Sequence, residues 1–316
     1  MLVNAGRPRQ WKKDIAASVD FFNAWFMEFA PAAYQQTRVQ ATESVLHAFA
    51  ITFDLREIRA DTLRDHPEVI ATLRMSTCPP LAQGRLAGLA YVNKTLIAKM
   101  ETGRLPPRML ATALHEYLER MSDILQRLSD RDLLPWLAEK AGPNAADRLR
   151  AATVIADRLC GSVADPIIRN AQERRQLSLI GQLLEARGYR RKAPTGGAPL
   201  NRMDAGTFAF RVNLPVGGKR QVNIPVDVVV QPKRRRRSGF PILIEAKSAG
   251  DFTNVNKRRK EEATKMRQLR DAYGTNISYV LFLCGYFDTG YLGYEAAEGI
   301  DWVWEHRIDD LLRLGI

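Results

Sequence analysis

Near residue 190 the apolar residues change their period, and that change restricts the chain to a helical part followed by a sheet with helices against it. From Trp11 to about Arg191 they recur mostly at helical spacing. Ile15, Val19, Phe22, Phe26 and Phe29 form one stripe, and Leu110, Leu114, Leu118, Met121 and Leu125 form another. Proline lacks the backbone N–H and restricts the residue before it, so roughly six to eight helices are expected, broken at Pro31, Pro67, Pro79, Pro106, Pro143 and Pro166. The last of them carries Leu177, Ile180 and Leu184 on one face. It should stop at Gly188, where a left-handed residue closes a helix.

Beyond "APTGGAP" the runs are short and rich in valine. Residues 208–214 and 222–230, with Gly217-Gly218 between them, predict a β-hairpin. "FPILIEA" and "ISYVLFLCGYF" are too apolar to be half exposed, which puts both strands inside a sheet. Between them Ala263, Met266, Leu269 and Tyr273 predict a helix beginning near Lys257, so strand, helix and strand form a right-handed parallel crossover. "DWVWEHRIDDLLRLGI" reads as a short strand and a closing helix. The expected fold is α/β of the α+β kind: a central mixed sheet flanked by helices, preceded by a large all-helical region. The expected division is 1–165 and 166–316.

Charge narrows the function. The chain has 47 basic and 35 acidic residues, a net charge of +12. Between Asn201 and Arg270, 17 Lys and Arg face only 6 Asp and Glu, so nearly all of the surplus sits in about a fifth of the chain. Clustering of this kind is the footprint of a polyanion, with nucleic acid ahead of an anionic membrane surface. No apolar run approaches the ~18 residues needed to span a bilayer, and "MLVNAGRPRQWKKD" lacks the apolar core of a secretory signal. Cys78, Cys160 and Cys284 are far apart and odd in number, which fits a reducing cytoplasm. His47, His66, His115 and His306 include no pair at helical spacing, so each reads as a surface or packing residue.

The basic cluster surrounds a set of acidic residues. On a strand, Glu245 and Lys247 point the same way while Ala246 points into the packing, and Asp227 on the neighbouring strand brings a second carboxylate close. Two unpaired carboxylates repel, and oxygen ligands without His or Cys select Mg²⁺, with Mn²⁺ a substitute. Lys247 would then orient or help deprotonate a water. Lys233, Arg234, Arg235, Arg236 and Arg237 would project from the turn between the strands, at the edge carrying the carboxylates, as phosphate contacts. Lys257, Arg258, Arg259 and Lys260 sit where a helix macrodipole disfavours cations, a conflict that a bound phosphate would explain. Ser248 and Asn254 join the expected DNA contacts, Asn254 as a base reader; Asn256 is both a contact and a helix cap.

Asp227, Glu245 and Lys247 resemble the P-D…(D/E)-x-K constellation of the restriction-endonuclease-like nuclease superfamily, with Val226 inserted between Pro225 and Asp227. "KSAGDFTNVNKRRKEEA" and, upstream, "RMSTCPPLAQGRLAGLA" resemble the XamI-type type II restriction endonucleases over most of the chain. The resemblance implies Mg²⁺-dependent cleavage of double-stranded DNA at a short palindrome, GTCGAC for the family's namesake. It implies Asp227, Glu245 and the Ala246 carbonyl as metal ligands and Lys247 as the residue assisting the attacking water. It also implies a homodimer, whose twofold axis matches the palindrome, with residues 1–165 a dimerisation element, a DNA clamp or both, and a cognate DNA methyltransferase in the host. In such nucleases a Glu on the helix before the sheet sometimes adds a metal contact. Glu173 and Glu185 are the candidates, and a structural salt bridge is the other reading for both. Two alternatives stay open. One is a repair, junction-resolving or transposon-end nuclease on the same core. The other is a non-catalytic DNA-binding protein in which Asp227, Glu245 and Lys247 form an internal ion-pair network.

Overall fold

The computed structural model describes residues 2–193, 200–217, 222–234, 239–253 and 255–316, the side chains of 201 and 255–259 excepted. Packing divides the chain into two compact units, residues 30–167 and residues 1–29 with 168–316. The long helices α1 (Pro8–Ile51) and α7 (Ala145–Ala186) contribute to both.

Residues 30–167 are helical. Between α1 and α7 run α2 (Ala60–Asp65), α3 (Ile70–Met75), α4 (Gln83–Ala90), α5 (Lys94–Met100) and α6 (Ala111–Arg127). The stripe on α6 behaves as its spacing predicts at Leu118, Met121 and Leu125, which are buried, whereas Leu110 precedes the helix and is exposed. Trp136 fills this core and its indole N–H donates to the Asp54 carbonyl at 2.8 Å, so the ring is buried without an unmet polar atom. Pro31 and Pro166 do not end helices as expected; they lie inside α1 and α7. A proline forfeits one intrahelical bond, and helices of 44 and 42 residues with buried neighbours Ala30 and Ala164 offset that loss.

The other unit is a six-stranded sheet in sequential order. Its strands are β1 (Arg190–Arg191), β2 (Thr207–Val216), β3 (Val222–Gln231), β4 (Ile242–Ala249), β5 (Ser278–Gly285) and β6 (Asp301–Trp304). β2, β3 and β4 pair antiparallel, and β4, β5 and β6 parallel, so the sheet is mixed. β1 also pairs parallel with β2, while the β4–β5 and β5–β6 pairs are joined by α8 (Val255–Tyr273) and α9 (Thr289–Ala297). One face packs on Met266 and Leu269 of α8 with Tyr291 and Leu292 of α9. The other packs on Leu177, Ile180 and Leu184 of α7, the face predicted for that helix.

Polar anchors redirect two segments. The inward face of α1 in this unit holds Asp14, Ser18 and Phe22, while Phe26 of the predicted stripe is 40% exposed. Ser18 Oγ accepts from the Gly285 amide at 2.8 Å, and Asp14 accepts from Arg307 at 2.7 Å. The closing segment Glu305–Leu314 forms 3₁₀ turns rather than one regular helix, because Arg307 leaves helical geometry to reach Asn4, Asp14 and Asp310. Asp301 gathers the backbone amides of Val3, Asn4 and Ala5, which ties the first residues to β6. Asp301→Ala leaves those buried donors unmet and is expected to cost about 3 kcal/mol, a fall in Tm of roughly 6–10 °C. A change under about 1 kcal/mol in a chemical melt would show that the anchor contributes little. No helix among the described residues is long and apolar enough to cross a membrane.

Candidate functional site

Asp227 stands where β3 stops pairing with β4. Val228 pairs with Ile244, and past that rung Asp227 Oδ2 accepts from the Ala246 amide at 2.9 Å. The side chain replaces a backbone acceptor, so the strands part while the amide stays bonded. β2 is distorted at the same level. Phe210 pairs with Val228 and Val212 with Val226, and Arg211 between them holds a left-handed φ of 52°. At that residue β2 changes the core it serves: Phe208 and Phe210 pack with α7, whereas Val212, Leu214 and Val216 pack with α8. β3 follows, with Val228 and Val230 in the first core and Ile224 and Val226 in the second. The left-handed Arg211, in a conformation costing about 1 kcal/mol or more, thus stands where the hairpin passes from one core to the other.

Glu245 and Lys247 point to the α8 side of β4, and Ala246 between them packs towards α7. Glu245 is buried with an ammonium on each oxygen: Lys247 Nζ is 3.2 Å from Oε1 and Lys265 Nζ 2.7 Å from Oε2. Lys247 Nζ also lies 3.7 Å from Glu262 Oε1, and Glu262 Oε2 accepts from the Tyr291 hydroxyl at 2.6 Å. Asp227, Glu245 and Glu262 therefore share Lys247 and Lys265, leaving a surplus of negative charge. Burial, then the charge of Glu245, pushes the Asp227 carboxyl up to about 6, although the Ala246 amide and the two lysines oppose the shift. Burial pulls Lys247 down, but Glu245, Glu262 and Asp227 outweigh it and raise it above an ordinary lysine, so it is an ammonium at neutral pH.

A cleft of about 560 Å³ is bounded by Val222–Pro225 of β3, by Glu245 and Lys247, and by Lys260, Glu262 and Lys265 of α8. Its donors are oxygens, with neither His nor Cys in the lining. That donor set suits a hard divalent cation, and the nearby Asp227 carboxyl, raised by burial and then by Glu245, is a group such an ion would hold ionised.

The other residues singled out from the sequence scatter. Lys260 lines the cleft. Lys233 does not stand at the carboxylate edge: it follows the far end of β3, roughly 20 Å along the extended chain from Asp227. There its Nζ donates to the Arg187 carbonyl at 2.6 Å and sits over the Tyr189 ring, closing the end of α7. Arg234 is exposed beside it, and Arg235, Arg236 and Arg237 lie outside the described residues, as does Asn254. α8 starts at Val255, which puts Asn256 inside the helix rather than before it; the side chains of Asn256, Lys257, Arg258 and Arg259 lie outside the description. Ser248 is half-buried on the Ala246 side of β4. Glu173 accepts from Arg211 at 2.9 Å, and Glu185 is exposed. The α7 residue that reaches β4 is Gln176, buried, with its amide directed at the Lys247 carbonyl at 3.5 Å and the Phe282 carbonyl at 3.3 Å.

Glu262, expected from the sequence only to offset the cations at the start of α8, and Lys265 are further charged neighbours at the site. Glu262 stands four residues before Met266 and seven before Leu269, on the apolar stripe of α8 itself. An acidic residue on a core stripe facing a strand that carries Lys247 was the available signal.

A family model described as XamI restriction endonuclease matches residues 53–304. The type II restriction enzyme SalI of Streptomyces albus G is 54% identical over 314 residues, covering 99% of this chain and 100% of that protein. Among solved structures, the crystal structure of protein VC1899 from Vibrio cholerae aligns with a TM-score of 0.28 at 15% identity, over 80% of this chain and 55% of that one.

Proposed function

The chain belongs to the XamI restriction endonuclease family and is a type II restriction enzyme, and from that premise we propose Mg²⁺-dependent hydrolysis of double-stranded DNA at a short palindrome, carried out at Asp227, Glu245 and Lys247. The observation carrying this assignment is a partly buried Asp227, pushed up to about 6, within electrostatic reach of Glu245 and a protonated Lys247, the latter two lining one cleft. Asp227, Glu245 and the Ala246 carbonyl would hold the ion, with Mn²⁺ as a substitute. Bound there, it would polarise the attacking water and neutralise charge on the scissile phosphate.

The chain's own residues do the rest. Lys247, already protonated, orients the water and offsets charge in the transition state; it is not the proton acceptor. Lys265 and Glu262 hold Glu245 and Lys247 in place from α8. Lys260, at the cleft wall, meets the backbone phosphate. Glu173 is assigned to its ion pair with Arg211. Cutting both strands of a palindrome takes two such sites, which a homodimer with twofold symmetry supplies. Residues 30–167 are assigned to dimer contacts, to clamping DNA, or to both. The free thiols of Cys78, Cys160 and Cys284 fit action in a reducing cytoplasm, where a cognate methyltransferase would protect the host's own sites.

The test is incubation of the purified chain with unmethylated phage DNA, with Mg²⁺ or with EDTA, alongside a duplex containing GTCGAC and a scrambled control. Discrete Mg²⁺-dependent fragments, with the GTCGAC duplex cut and the control intact, are expected. A smear would move the assignment to a structure-selective or non-specific nuclease. Intact DNA from folded protein that still binds the duplex would leave Asp227, Glu245 and Lys247 as a structural ion-pair network.

A further inference from the structure

We infer that His47, His66 and Glu68 form a second cation site, for a transition-metal ion of borderline softness such as Zn²⁺, within residues 30–167. The fold brings together residues that the sequence keeps apart. His47 lies on α1, His66 directly follows α2, and Glu68 sits in the 3₁₀ turn Pro67–Val69. Glu68 Oε1 is 3.2 Å from His47 Nε2 and 3.6 Å from His66 Nδ1. The imidazole rings lie 6.1 Å apart at 76°, and one ligand atom from each of the three side chains falls within 4.8 Å of the other two.

The geometry matches a tetrahedral ion. With Zn–N and Zn–O bonds of about 2.0–2.2 Å, tetrahedral ligands stand roughly 3.4 Å apart. The two histidine–carboxylate separations already bracket that value, so a small rotation of the imidazoles closes the set. The backbone under it is fixed. Pro67 and Val69 are buried on either side of Glu68, and the proline ring sets the turn that presents His66 and Glu68 together. A cleft of about 260 Å³, with Thr37, Gln40, Ser44 and Glu101 in its walls, adjoins His47 and Glu68 and has room for a water in the fourth position. Two imidazoles and one carboxylate select zinc or a neighbouring transition metal over Mg²⁺, the reverse of the all-oxygen set at Asp227 and Glu245. The ion would staple α1 to the connection after α2, and binding only the folded form it would stabilise this unit.

The test is calorimetric titration of the full chain with Zn²⁺ in excess Mg²⁺, which competes for oxygen sites and leaves imidazole free. His47→Ala, His66→Asn and Glu68→Gln are compared with the unaltered chain. All three residues are partly exposed, so circular dichroism should show folded variants. One equivalent of Zn²⁺ is expected, weakened at least about tenfold in each variant, with a rise in Tm of about 5 °C at a hundredfold excess over Kd. Zinc binding of equal strength in all four proteins, or none above the level that Mg²⁺ displaces, overturns the assignment. Because the readout is binding, it stands apart from DNA cleavage.

Discussion

Asp227→Asn is expected to stop DNA cleavage while making the metal-free protein more stable. In the fold the Asp227 carboxyl is pushed up to about 6, first by burial and then by Glu245, so the folded state keeps its proton to higher pH than the unfolded chain does. Stability from this group is therefore fully present below about pH 4 and is lost as pH rises through about 6, a loss of about 3 kcal/mol by pH 8. Asparagine is neutral throughout, fills the same volume and can still accept from the Ala246 amide. Chemical melts in EDTA should then coincide near pH 4 and separate by up to about 3 kcal/mol near pH 8, with the variant the more stable. Saturating Mg²⁺ should narrow the gap, because ion binding stabilises only the protein that retains the carboxylate. Cleavage should fall by about 10³-fold or more, the loss expected when a transition-state charge partner goes. A variant less stable than the parent near pH 8 in EDTA would mean that Asp227 is satisfied within the fold and carries no excess charge.

Lys247→Ala carries the second large effect, in the opposite thermodynamic direction. Lys247 lies between Glu245 and Glu262, both buried, and removing it leaves Lys265 as the ammonium beside Glu245. Breaking a buried pair costs about 3–5 kcal/mol; with Lys265 still in place, about 2 kcal/mol is expected here. Cleavage should drop by about 10²–10³-fold, while affinity for the duplex, measured at fixed salt, changes by less than about threefold. This pattern separates the two readings of the site. If stability falls and cleavage by the folded fraction persists, Lys247 is a structural counter-ion and its assignment to the reaction is wrong.

Where local pattern carried information, the architecture was legible. The run Ile242–Ala249, the stripe Ala263, Met266 and Leu269, and the run Ser278–Gly285 form adjacent parallel strands joined by a helix, as their periods predict. Leu177, Ile180 and Leu184 meet the opposite face of the sheet, and Gly188 adopts the left-handed φ of 74° expected just past α7. Prolines were less reliable guides. Pro31 and Pro166 sit inside continuous helices, because a missing hydrogen bond is a local cost that packing along 44 or 42 residues can outweigh.

The sequence by itself determined the helical first part, the mixed sheet after it, and the alternation that places Glu245 and Lys247 on one face of β4 with Ala246 on the other. These follow from period and burial, which each segment carries within itself. The tertiary structure decided which distant groups meet. The hairpin changes core at a left-handed Arg211, Asp227 accepts from the Ala246 amide, and α8 delivers Glu262 and Lys265 to Glu245 and Lys247. Strand direction carries Lys233 to the opposite end from the cleft, and a turn at Pro67 brings Glu68 to His47. Contacts of this kind depend on the register and crossing of segments tens of residues apart, which no local period encodes.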